Sequence, residues 1–168
     1  MDPLVAIPML ISVLPGLLLL AAISRSGRGC WLAALVGGAG WLAALIAREP
    51  LLLLVESLGT YPRICLAASM AGVFEETSRY LVLRYFASVS RSRSVDPYTV
   101  LSIGLGWGLA EALLLYVVQV PLAVALYGYQ WTDLLPGAIE RNSATAFHPR
   151  MAMSMLRGWE CGGARACL

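Results

Sequence analysis

The sequence predicts an all-α, polytopic membrane protein, a bundle of about five membrane-spanning helices. Three observations predict it. Of the 168 residues, 59% are hydrophobic and 13% are charged, against roughly half and a quarter in a soluble domain. The mean hydropathy is +0.74. Several apolar runs reach the ~20 residues needed to cross a ~30 Å hydrocarbon core. The net charge is only +2 and its basic residues, all arginine, are scattered. Membrane lipids are therefore the expected surroundings, and no nucleic-acid partner is expected.

Residues 3–23 form the first predicted span, interrupted by Pro8 and Pro15. It lacks a basic leader region and its first charge is Asp2, so a retained helix is expected rather than a cleaved signal peptide. The second span, residues 30–47, carries Gly37, Gly38 and Gly40, which suit close helix packing. Arg48-Glu49-Pro50 is expected to end it, leaving Leu51 to Val55 as an interfacial stretch or part of a partly buried connection. The third span, residues 62–86, opens on Pro62, a residue suited to a first helical turn. The fourth has Asp96 as N-cap and Pro97 at the first helical position, and runs to about Gln119. Pro121 is expected to kink or end it, with residues 122–127 as a prolongation if it kinks.

The fifth span, residues 137–156, is made unusually polar by Asn142, His148, Pro149 and Arg150. Residues 1–156 are thus expected to form the transmembrane domain, and residues 157–168 a poorly ordered polar tail. None of Cys30, Cys65, Cys161 and Cys167 forms a CxxC pair, and free thiols are expected. Arginines concentrate in the first and third loops and the tail, and the fourth loop has none. By the positive-inside rule the N-terminus lies outside and the tail in the cytoplasm of a cell-membrane protein.

Against this apolar background one stretch stands out: Phe74-Glu75-Glu76-Thr77-Ser78-Arg79-Tyr80, in the middle of the third span. A charged residue at the bilayer centre costs on the order of 2.5–3.5 kcal/mol on insertion scales. At helical spacing Arg79 can reach either acid. Counting 1.5 Å per residue, Glu75 lies roughly 20 Å past Pro62, Glu111 roughly 21 Å past Pro97 and His148 roughly 18 Å past Pro136. Three titratable groups from three helices therefore fall near the midplane. Gly104 and Gly108 make a small-xxx-small face beside Glu111, and Arg141 and His148, seven apart, share a face. Tyr80, Tyr116 and the five tryptophans are expected to face lipid or the interface.

Such a cluster suits hydrolysis. A buried glutamate can serve as a general base, and a second polar group can hold the developing oxyanion. His148 is the sole histidine, so an HExxH zinc site is impossible. Glu111 and His148 could bind a metal such as Zn2+, or could orient water directly.

At these residues the chain resembles the YhfC-type intramembrane proteases, relatives of PrsW and of the CAAX-processing and bacteriocin-processing (CPBP) membrane proteases. The matching pieces are Phe74-Glu75-Glu76-x-x-Arg79-Tyr80, then Gly104-x-Gly106-x-Gly108 leading to Glu111-Ala112, then Glu140-Arg141-x-x-Ala144-x-x-x-His148. The resemblance implies an intramembrane endopeptidase, glutamic or metallo, acting on a membrane-embedded peptide or protein. It implies that Glu75 or Glu76 activates water, that Arg79 orients the acids, and that Glu111 and His148 complete the centre. Family members often carry a histidine in the glycine-rich helix, where this chain has Trp107, and the chain looks shorter at its C-terminal end. The rival expectation is a non-catalytic membrane component, a transporter subunit, a partner-binding scaffold or an inactive truncated homologue, that uses the same charges for packing.

Overall fold

The computed structural model describes residues 2–25, 30–89 and 95–163, with side chains as far as Gly158. A 3-10 turn, Pro3–Val5, leads into α1 (Ala6–Arg25). Then follow α2 (Trp31–Val55), α3 (Thr60–Val89) and α4 (Pro97–Ala112). A π-helical turn, Leu113–Val117, joins α4 to α5 (Gln119–Tyr127), and α6 (Trp131–Gly163) completes the bundle. Taking α4 to α5 as one pass, the fold is five helical rods with no strand among the described residues.

Three passes, Pro3–Arg25, Trp31–Val55 and Pro97–Tyr127, are long and apolar enough to cross a membrane. The other two, α3 with 30 residues and α6 with 33, are long enough but more polar. They carry Glu75, Glu76 and Arg79, and Glu140, Arg141 and His148. The hydropathy deficit of both helices is the candidate site itself. Outward-facing Leu18, Leu35, Leu54, Val118 and Leu126 are exposed, as lipid-facing positions of a membrane bundle should be.

Several helix ends differ from the sequence expectation, and for one reason. In hydrocarbon every unsatisfied backbone group is expensive, so losing one N–H at a proline costs less than ending the helix. Thus α2 runs through Pro50 and takes in Leu51 to Val55, so that stretch is not a separate interfacial segment. The fourth pass runs through Pro121 to Tyr127, the prolongation over residues 122–127 that the sequence allows, and Gly128, in the left-handed region at φ 68°, terminates it. Helix α6 starts at Trp131, runs through Pro136 and Pro149, and ends at Gly163, so the first part of the expected tail is helical. Arg28, Arg91, Arg93, Arg165 and Cys167 lie outside the described residues. Asp96 caps α4 as expected, accepting from the amides of Tyr98 and Thr99 at 3.0 and 3.1 Å.

Helix α4 is the centre of the bundle, with α2 against one side, α6 against the other and α1 bridging α4 and α6. From Ser102 to Leu109 every α4 residue is buried. The glycines explain how. An added Cβ at Gly106 would lie 1.8 Å from the carbonyl oxygen of Ala34 on α2. Added at Gly104 or Gly108, it would lie 2.5 Å from Cα of Pro149 or 2.6 Å from Cα of Thr145, both on α6. Residues 104 and 108 share one face and residue 106 faces the other way, so the GxGxG run lets two helices meet α4 backbone to backbone. Gly37 returns the contact, its Cβ position falling 2.1 Å from the carbonyl oxygen of Ile103.

Helix α3 packs chiefly on α2, where the Ser78 hydroxyl donates to the Gly40 carbonyl at 2.8 Å. Trp41 and Trp107 do not face lipid: both are fully buried, packed with Ala44, Phe74 and Leu115. Tyr116 is buried too, its hydroxyl donating to the Leu134 carbonyl, because the π turn rotates it toward the start of α6.

Gly106→Ala should lower the thermal midpoint of the detergent-solubilised protein sharply, by an equivalent of about 1–3 kcal/mol, since a helix backbone must move. Gly72→Ala, where nothing lies within 4 Å of the new methyl, should be neutral or raise the midpoint, by up to about 1 kcal/mol. Equal midpoints for the two variants would refute this account of the α2–α4 contact.

Candidate active site

The polar residues of α3, α4 and α6 form one connected network, joined by Arg48 from α2. Its inner element is Arg79, a guanidinium only 1% exposed. Arg79 pairs with Glu76 one turn back on α3. Its Nη2 lies 3.0 Å from Nδ1 of His148 on α6, and its guanidinium carbon stacks 4.6 Å from the centre of the Trp107 ring on α4. On the far side, Nε2 of His148 lies 2.8 Å from Oε2 of Glu111. Glu111 also pairs with Arg141, which pairs with the exposed Glu140. The order Glu76–Arg79–His148–Glu111–Arg141–Glu140 is a ladder of alternating donors and acceptors.

The ladder sets the state of its imidazole. Arginine has no acceptor, so Nδ1 of His148 must accept and Nε2 must carry the hydrogen, which it donates to Glu111. Both ring nitrogens are therefore engaged. Thr145, one turn before His148, holds α6 in place: its Oγ1 lies 2.9 Å from the Arg141 carbonyl and 3.2 Å from the Gly108 carbonyl.

Glu75 sits apart from the ladder. Its partners are Nη1 of Arg48 and Nε1 of Trp107, each at 3.4 Å, longer than an ordinary N–H···O bond. Its carboxylate is held in position but keeps lone pairs free. Two buried guanidinium N–H groups also lack an acceptor, Nε of Arg48 and Nε of Arg79. One belongs to the partner of Glu75; the other lies on the guanidinium that shares Trp107 with it. Between α2 and α3, walled by Ala44, Ala47, Phe74 and Ser78, is a largely apolar cavity of about 430 Å³.

Each sequence-predicted residue thus has a place: Glu76, Arg79, Glu111 and His148 on the ladder, Glu75 beside it. Arg48, Trp107 and Arg141 join them: sequence reasoning noted Arg141 and Trp107 without assigning them a part in the site, and it missed Arg48. Arg141 carries a signal, the face it shares with His148. Arg48 becomes visible once α2 is read through Pro50, which puts it well inside the helix.

The Glu111–His148 pair is the closest match to a metal-binding pair. A catalytic zinc takes three protein ligands. Among the described residues no group of three His, Cys, Asp or Glu side chains is arranged to hold an ion. The pair is also flanked by Arg79 and Arg141, whose charges oppose a cation, and His148 has no free nitrogen. As arranged, this donor set does not fit a resident metal.

Glu111→Gln and Arg141→Gln should each lower the thermal midpoint, and the double variant should cost less than their sum by roughly 0.5–3 kcal/mol. Strict additivity would mean that the two side chains do not interact.

No curated protein and no solved structure matches the chain. Residues 58–133, spanning α3 to α5 with Glu75, Glu76, Arg79 and Glu111, match the YhfC intramembrane metalloprotease family.

Proposed function

We propose that the chain is an intramembrane peptidase that hydrolyses a peptide bond of a membrane-embedded substrate with water activated by Glu75. The observation that carries this is the pairing of a loosely held carboxylate with two buried guanidinium N–H groups that lack acceptors. A base and unfilled donors are what hydrolysis requires, and inside a dry bundle those donors interact strongly with a developing oxyanion.

The substrate enters by the α2–α3 cavity, which does not itself include Glu75 but is walled by its chain neighbour Phe74. Glu75 takes a proton from water while the oxygen attacks the scissile carbonyl carbon. The negative charge that builds on the carbonyl oxygen is received by Arg48 and Arg79. Protonated Glu75 then gives its proton to the departing amine as the carbon–nitrogen bond breaks, which regenerates the carboxylate. Glu76, His148, Glu111 and Arg141 are positioning residues in this scheme, holding Arg79 where its charge is needed. Trp107 orients Glu75 and carries Arg79 on its ring face.

One observation favours the non-catalytic alternative. Each of Glu75, Glu76, Glu111 and Glu140 has an arginine partner, as a purely structural ion-pair ladder would. Substitution separates the two readings.

Glu75→Gln should lower cleavage of a co-expressed membrane substrate by about 10²–10⁴-fold while the protein stays folded, its thermal midpoint falling no further than that of Glu111→Gln. Trp107→Phe keeps the ring under Arg79 and removes the donor to Glu75, and should cost about tenfold or less. Retention of full cleavage by Glu75→Gln would sink the assignment. Cleavage in detergent should also survive 1,10-phenanthroline. Activity lost to chelator and restored by zinc would return Glu111 and His148 to the role of metal ligands.

A further inference from the structure

A second site lies away from the ladder, toward the end of the bundle where α4 begins. There α4 and α6 leave a cavity of about 390 Å³, lined by Leu101, Pro149, Arg150, Met153, Ser154 and Arg157. Arg150 and Arg157 are seven residues apart, so they share one face of α6 and sit about 10 Å apart along its axis. Neither forms an ion pair or hydrogen bond among the described residues.

Depth makes this unusual. Pro149 packs against Gly104, seven residues into α4, so Arg150 lies about 10 Å below the level of Pro97. Arg48, Arg79 and Arg141, deep in the bundle, each have a carboxylate, whereas Arg25, Arg63 and Arg84, toward helix ends, are not ion-paired among the described residues. Arg150 and Arg157 face an open, partly apolar cleft instead. An unpaired guanidinium at that depth is costly in hydrocarbon. The anion a bilayer can bring to it is a lipid phosphate, and basic pockets between transmembrane helices bind such headgroups.

We propose that this cleft binds an anionic phospholipid. Arg157 meets the phosphate at headgroup level, Arg150 draws it inward, and an acyl chain lies along Leu101 and Met153. Two positive charges on one phosphate favour a headgroup with net negative charge over a zwitterionic one. The Ser154 hydroxyl is already committed to the Met151 carbonyl at 2.9 Å, so recognition falls to the arginines, which can hold phosphate oxygens bidentately. This site shares no residue with the proposed catalytic centre and does not depend on it.

The test is lipid binding to the purified full chain in detergent, read by native mass spectrometry and by the thermal midpoint. Phosphatidylglycerol, phosphatidylcholine and inorganic phosphate are titrated separately. Phosphatidylglycerol should bind at one site at least about tenfold more tightly than phosphatidylcholine, and inorganic phosphate should shift nothing over the same range. The Arg150→Gln/Arg157→Gln variant should lose that preference, and Arg150→Lys should keep most of it. Should the double variant not fold, the wild-type preference and the Arg150→Lys variant carry the test. Equal binding of the two lipids, an unchanged preference in the double variant, or a free-phosphate response matching phosphatidylglycerol would each overturn the proposal.

Discussion

A guanidinium sealed inside a membrane bundle must be paired, and Arg79 is the group on which this fold turns. Its charge cannot be left alone in hydrocarbon, so partners must come to it. Glu76 is supplied by the same helix at one turn's distance. His148 must come from α6, whose backbone stays apart from α3 although Leu83 and Ala87 share a core cluster with Ala152 and Leu156. Helix α4 serves both partners: its Trp107 ring stacks on Arg79, and its glycines hold α6 close. Gly104 and Gly108 draw α6 onto the α4 backbone, and an added methyl at Gly108 would come within 3.1 Å of the His148 ring. The glycine run and the buried arginine are therefore coupled: the first shortens the distance that the second has to span.

The ladder also divides stability from chemistry. From Glu76 to Arg141 each group is held by its neighbours, which fixes its geometry, and Nε of Arg79 is the N–H left without an acceptor. A connected network of this kind rigidifies its members. Glu75 lies outside that chain of contacts, with two long hydrogen bonds and unfilled donors nearby. In the proposed reaction such an arrangement keeps the base loose and fixes the cation beside it. The sole histidine, which the sequence sets beside Glu111 as a candidate metal ligand, is bound on both nitrogens.

The fold class is legible in the sequence because hydropathy and length decide it, and so is the polar character of α3, α4 and α6. What sequence reasoning missed has two physical sources. In a soluble protein a proline such as Pro50 ends a helix; in lipid the cost of freed backbone groups reverses that preference, and the longer α2 is what brings Arg48 into the site. A tryptophan in an apolar run suggests a lipid-facing aromatic, yet Trp107 lies between Gly106 and Gly108. A position flanked by glycines that admit neighbouring backbones is an interior one. Which carboxylate meets which arginine is not legible, because helix spacing gives i,i+3 and i,i+4 neighbours but not contacts across 27 to 69 residues of chain.

The distribution of charge bears on how the matched and unmatched parts of the chain depend on each other. Residues 58–133, which match the YhfC family, bring three ladder or near-ladder carboxylates, Glu75, Glu76 and Glu111, and a single paired guanidinium, Arg79. Alone that segment would place two uncompensated negative charges in the bundle. The balance is restored from outside it: Arg48 on α2 pairs with Glu75, and Arg141 on α6 pairs with Glu111. His148, the link between Arg79 and Glu111, also lies beyond residue 133. Three carboxylates against one cation is an arrangement that hydrocarbon does not tolerate. The flanking helices are thus electrostatic partners of the family segment as well as its packing, and the site exists only where all four of α2, α3, α4 and α6 come together.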